Sequence, residues 1–85
     1  MVSLRIYVSE HCHNCKYSIE LAAEVERAFP EVHTEVIYLD RPGVERPSGV
    51  FATPTYMLNG IVAWLGNPGR QELFEHLSAA LANGS

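Results

Sequence analysis

The chain has 85 residues, enough for a single domain (1–85) around one modest core. Apolar residues at 47% and charged residues at 19% exclude a disordered chain, and a net charge of −4 with scattered basic residues argues against nucleic-acid binding. No apolar run reaches the length of a membrane span, and Met1-Val2-Ser3-Leu4-Arg5 lacks the basic and apolar regions of a signal peptide. A cytoplasmic chain with no membrane partner is expected.

Val2, Leu4, Ile6 and Val8 alternate with Ser3, Arg5 and Tyr7, the period of a half-buried strand. From Cys12 to Phe29 the pattern becomes helical. Ile19, Ala22, Val25 and Phe29 form an apolar stripe, and Lys16, Glu20, Glu24 and Arg27 line the wet side. Pro30 ends the helix by pushing the residue before it out of the α region. Residues 34–39, Thr-Glu-Val-Ile-Tyr-Leu, read as a second strand, parallel to the first because a helix joins them.

Pro42, Gly43, Pro47 and Gly49 mark 41–53 as a loop with at most one short helical turn. Thr55 to Leu58 and Ile61 to Leu65 flank Asn59-Gly60, whose tolerance of positive φ suits a tight hairpin turn. A last helix is expected to open with Asn67 as cap and Pro68 at its first position. It buries Leu73, Phe74, Leu77 and Leu81 and stops at Asn83-Gly84. The order is β-α-β-β-β-α, an α/β chain whose two helices cover mainly one face of a four-stranded mixed sheet. The other face carries Ser3, Arg5 and Tyr7, with Tyr38, Trp64 and Met57 expected beside them under Val44, Val50 and Phe51.

The cysteines are two, Cys12 and Cys15, in Ser9-Glu10-His11-Cys12-His13-Asn14-Cys15-Lys16. A bridge across this spacing closes a loop too small to staple distant elements, so the pair serves chemistry rather than folding. A strand-to-helix junction places both sulfurs on the first helical turn, where free backbone N–H groups favour a thiolate. His11 and His13 flank Cys12 as candidate hydrogen-bond donors to it. The same residues are also zinc or copper(I) ligand types, which leaves metal binding or transfer through His11-Cys12-His13-x-Cys15 as an alternative. Against it, no second ligand pair exists elsewhere in the chain. A non-catalytic interaction module is the third reading.

Cys12-His13-Asn14-Cys15 after the first strand and Gly49-Val50-Phe51-Ala52-Thr53-Pro54-Thr55 before the third resemble the thioredoxin superfamily. The Asn59-Gly60 hairpin and the Gly66 to Leu77 segment extend the likeness over nearly the whole chain. The resemblance implies a compact, glutaredoxin-sized thioredoxin-like fold with a cis Thr53-Pro54 bond lying against the dithiol. It also implies thiol–disulfide exchange, with Cys12 as nucleophile, Cys15 as resolving thiol and a Cys12–Cys15 disulfide as the oxidised state. Thr53 and Pro54, with His11 and His13, are the expected substrate-binding residues, Thr53 offering backbone to an extended substrate segment.

The expected partners are protein or peptide disulfides, with a thioredoxin-type reductase or glutathione as reductant and a monomer or weak dimer as the assembly. No cofactor and no resident metal are expected. The chain departs from the family pattern at four positions. His11 stands where thioredoxins carry a tryptophan. Ile6 and Val36 stand where they carry a buried carboxylate and its lysine partner. Ser9 stands where glutaredoxins place a basic residue.

Overall fold

The computed structural model describes residues 1–83. Its elements are β1 (Val2–Val8), α1 (Cys15–Ala28), β2 (Val32–Tyr38), β3 (Thr55–Leu58), β4 (Ile61–Leu65) and α2 (Arg70–Ala82). The sheet order is β2-β1-β3-β4. β1 and β2 run parallel from Val2↔Val32 to Val8↔Tyr38, while β3 is antiparallel to both β1 and β4. The second strand therefore begins two residues before the expected Thr34. Its polar His33 belongs to it because Ser3↔His33 continues the ladder at the sheet edge.

The alternation of β1 divides the molecule. Val2, Leu4, Ile6 and Val8 face the main core with Leu21, Ala22 and Val25 of α1 and Leu73 and Leu77 of α2. Both helices thus lie on one face of the sheet. Each fully buried leucine here contributes roughly 1.5–3 kcal/mol by leaving water. Phe29 and Phe74 meet edge to face at 5.2 Å and close the far end of this core.

The opposite face holds a smaller cluster of Tyr7, Val50 and Met57, with Ile37, Leu39 and Val62 packed against it. The loop before β3 supplies its cover through Val50. Gly49 makes that close approach possible: its φ is +93°, and an added Cβ would meet Val62 Cγ2 at 3.3 Å. Arg46 donates to the Val50 carbonyl at 3.0 Å and fixes the loop in place. Three residues differ from the expected arrangement of this face. Phe51 is 82% exposed and covers nothing, while Tyr38 and Trp64 pack on the main core instead. Trp64 is held there by an edge contact to Tyr56 and by donating to Glu72 at 3.2 Å.

Asn59 (φ 52°) and Gly60 (φ 83°) form the tight β3–β4 turn, where both central residues need a left-handed backbone. The register shifts between Tyr56 and Met57, a bulge that leaves Ala63 without a partner. The last helix starts later than its sequence suggests. Gly69 is its cap, with an extended backbone, and Asn67 and Pro68 lie ahead of it. Asn67 spends its side chain on another part of the molecule, as described below, and Pro68 is buried. Asn83 caps the C-terminus, and Gly84 lies outside the described residues.

Candidate active site

The loop from β1 into α1 is two successive tight turns. Cys12 N–H donates to the Ser9 carbonyl at 3.4 Å and Cys15 N–H donates to the Cys12 carbonyl at 3.3 Å. Helix α1 therefore begins at Cys15 rather than Cys12, and only one of the two sulfurs belongs to a helical residue. Cys12 and Cys15 form a disulfide. That bond keeps Cys12 Sγ beside the first helical residue, at the positive end of α1. No acidic residue occupies the first turn of α1, and Asn14 gives its amides no side-chain cap. The helix head is left open to an anion.

Burial separates the two sulfurs. Cys15 is 2% exposed and joins the main core, whereas Cys12 is half-buried at its edge. The Thr53–Pro54 peptide is cis, and the Thr53 carbonyl oxygen lies 3.6 Å from Cys12 Sγ. A disulfide sulfur carries no hydrogen, so this is a contact in the oxidised form. Reduction would give Cys12 a weak S–H donor facing that oxygen.

Other bonds hold the two loops together. Ser9 and Thr53 share a hydroxyl hydrogen bond at 3.2 Å, and Gly66 N–H donates to the Pro54 carbonyl at 2.8 Å. Ahead of Cys12, Glu10 N–H donates to Asp40 at 2.9 Å, and the Glu10 carboxylate faces Arg41 at 3.5 Å. Arg41 thus pairs with the carboxylate of the residue two before Cys12.

Of the residues singled out in the sequence, Cys12, Cys15, Thr53 and Pro54 come together. His11 and His13 flank Cys12 as exposed residues, and the close polar contact of the Cys12 sulfur is made to Thr53. The groups that sequence reasoning missed are Ser18, Tyr56 and Asn67. Ser18 and Tyr56 are fully buried. Their hydroxyls both donate to Asn67 Oδ1, at 2.5 and 2.7 Å. Asn67 Nδ2 in turn donates to the Asn14 carbonyl at 2.8 Å. Burial pushes the Tyr56 phenol above its ordinary value of 10.0, with the Ser18 hydroxyl pulling down and Tyr17 adding a smaller upward push.

One signal for Ser18 was available. The inward face of α1 runs through Cys15, Ser18, Leu21, Ala22 and Val25, so Ile19, expected in the stripe, turns 38% exposed instead. Counting three and seven residues on from Cys15 gives Ser18 and Ala22, whereas counting back from Ala22 by three gives Ile19.

A family model described as a thioredoxin domain matches residues 2–78. The chain belongs to the thioredoxin domain family. A probable thioredoxin of Methanothermobacter marburgensis is 33% identical over 81 residues, covering 92% of this chain and 94% of that protein. A thioredoxin of Methanocaldococcus jannaschii is 28% identical over 83 residues, covering 94% and 96%.

Among solved structures, oxidised thioredoxin O2 of Arabidopsis thaliana superposes with a TM-score of 0.74 at 19% identity, over 93% of this chain and 74% of that one. Fasciola hepatica thioredoxin gives 0.73 at 16% identity, over 92% and 79%. These two share the fold. Family membership and the Cys12–Cys15 disulfide together support thiol–disulfide oxidoreductase activity in this thioredoxin-domain chain.

Proposed function

We propose that the chain exchanges its Cys12–Cys15 dithiol with disulfides of proteins or peptides, Cys12 attacking and Cys15 resolving. The observation that carries this reading is the asymmetry of the pair: one bonded sulfur at an accessible edge, the other buried on the first turn of a helix. In the reducing direction the Cys12 thiolate attacks one sulfur of the substrate disulfide. A Cys12–substrate bond forms, the substrate bond breaks, and its other sulfur leaves as a thiolate that takes a proton from solvent. Cys15, deprotonated, then attacks Cys12 Sγ and expels the second substrate thiolate. Two electrons have passed to the substrate and the 12–15 disulfide remains. A thioredoxin-type reductase or glutathione restores the dithiol.

Thr53 supports an extended substrate. Its carbonyl oxygen sits beside Cys12 Sγ, where a substrate N–H would meet it as an added strand does. Substrate then lies along half-buried Thr53, with Pro54 buried behind it and the exposed His11 and His13 beside it. A reducing, cytoplasmic setting belongs to the same reading: both cysteines are in the site, so the fold relies on no separate structural disulfide. The metal alternative gains nothing from the geometry, because among the described residues no three His, Cys, Asp or Glu side chains gather around one point.

The test is a trap. Cys15→Ser should accumulate mixed disulfides through Cys12 with protein partners, and Cys12→Ser should accumulate none. An empty trap from a folded Cys15→Ser protein counts against exchange.

A further inference from the structure

The peptide group joining Asn14 to Cys15 is gripped at both ends. Its N–H donates to the Cys12 carbonyl at 3.3 Å, closing the 12–15 turn, and its oxygen accepts from Asn67 Nδ2 at 2.8 Å. The Asn67 amide is itself fixed. Its oxygen accepts hydrogen bonds from Ser18 and Tyr56, so only its NH2 remains to meet the Asn14 carbonyl. Tyr56 stands on β3 and Ser18 on α1, both completely buried, so their hydroxyls tie the amide to the sheet and to the helix at once.

Donation to a peptide oxygen polarises that peptide and strengthens the bond made by its own N–H. Here that second bond is the one holding Cys12 and Cys15 in one turn. We propose that Asn67 is a positioning residue for the dithiol, holding the Asn14–Cys15 peptide so that Cys15 Sγ stays aligned on Cys12 Sγ. All three side chains of the network are uncharged, so its effect is on geometry. It acts at the second half of exchange. Cys15 thiolate attacks Cys12 Sγ, the 12–15 bond forms, and the bond from Cys12 to the substrate sulfur breaks, releasing that sulfur as a thiolate. The first attack, by the more accessible Cys12, does not require this alignment. The proposal rests on the exchange reading given above.

Equimolar dithiobis(nitrobenzoate) added to the fully reduced protein separates the two halves. One coloured thiolate is released when Cys12 attacks, and a second when Cys15 resolves the adduct; Cys15→Ser, which releases only the first, calibrates the signal. Asn67→Asp keeps the acceptor for Ser18 and Tyr56 and removes the donor to Asn14. We expect it to slow the second release about tenfold while the first stays within about twofold, the scale of one lost hydrogen bond at an aligned site. An unchanged second release overturns the proposal, and so does an equal slowing of both releases, which is the mark of general damage. Failure of the exchange reading looks different: the unaltered, fully reduced protein then leaves a disulfide-linked peptide unreduced, whatever its two release rates. If Asn67→Asp does not melt cooperatively, Tyr56→Phe, which removes one of the two bonds fixing the Asn67 amide, carries the test, with a smaller slowing of the second release expected and an unchanged second release again overturning the proposal.

Discussion

Helix α1 begins behind Asn14, whose backbone is already helical, with no carboxylate in its first turn and no side-chain cap. Helix α2 begins behind an extended Gly69 and carries Glu72 in its first turn. Both heads present unpaired N–H groups with the same partial positive charge. In α2 that charge is answered by a carboxylate whose oxygen also accepts from Trp64, so the end is settled structurally. In α1 it is left for sulfur. The same backbone feature serves stability in one helix and chemistry in the other, and the choice lies in which side chain occupies the first turn.

The largest effect that should separate the two ends is on stability. Leu73→Ala in the first turn of α2 empties part of the main core and should cost about 2–5 kcal/mol, read from denaturant unfolding. The alkylation rate of the remaining folded, reduced protein should not change. A large change in thiol reactivity would show that the two ends are coupled.

Exchanging the charges is the next test. Lys16→Glu places a carboxylate in the first turn of α1 and should raise the pH midpoint of the Cys12 alkylation rate by roughly half a unit. Glu72→Lys at the head of α2 should lower stability by about 0.5–1 kcal/mol and leave that midpoint unaltered. Equal effects of both substitutions on the thiol would erase the distinction between the helices.

The fold was legible wherever one element could be read from its own residues. β1 shows its period of two, Asn59-Gly60 demands a tight hairpin, and the breaks at Pro30 and in 41–53 follow from backbone chemistry. The two cysteines were legible for the same reason, with their spacing and junction adjacent in sequence. What escaped was side chains whose partners are remote. Asn67 reads locally as the cap of its own helix, yet it bonds Asn14 and Ser18, 53 and 49 residues away. Tyr7 alternates to the second face as expected, but its 2% exposure depends on how Val50 returns over it, while Phe51 next in the chain points outward. A loop's path is set by its closure, through bonds such as Arg46 to Val50, which no local period encodes.

The smallest expected effect belongs to Tyr56, which links the head of α1 to the sheet. Its folded-state pKa is raised by burial, so above pH 10 the unfolded chain releases this proton more readily than the folded one. The contribution is therefore complete below the ordinary value and is lost as pH rises through the folded value. Tyr56→Phe should flatten that part of the alkaline decline in a stability–pH profile. An unchanged profile would mean that the phenol is not held in the core.

Two influences meet at the Cys12 sulfur in the reduced state. The Thr53 carbonyl oxygen, an acceptor, disfavours a thiolate beside it, and the open amides of α1 favour one. The account requires the helix to win. The pH dependence of Cys12 alkylation in reduced Cys15→Ser protein decides this, with thiolate absorbance as an independent check. A midpoint between about 3.5 and 7.5 is the predicted result; a midpoint at about 8.5, that of an ordinary free cysteine, contradicts it.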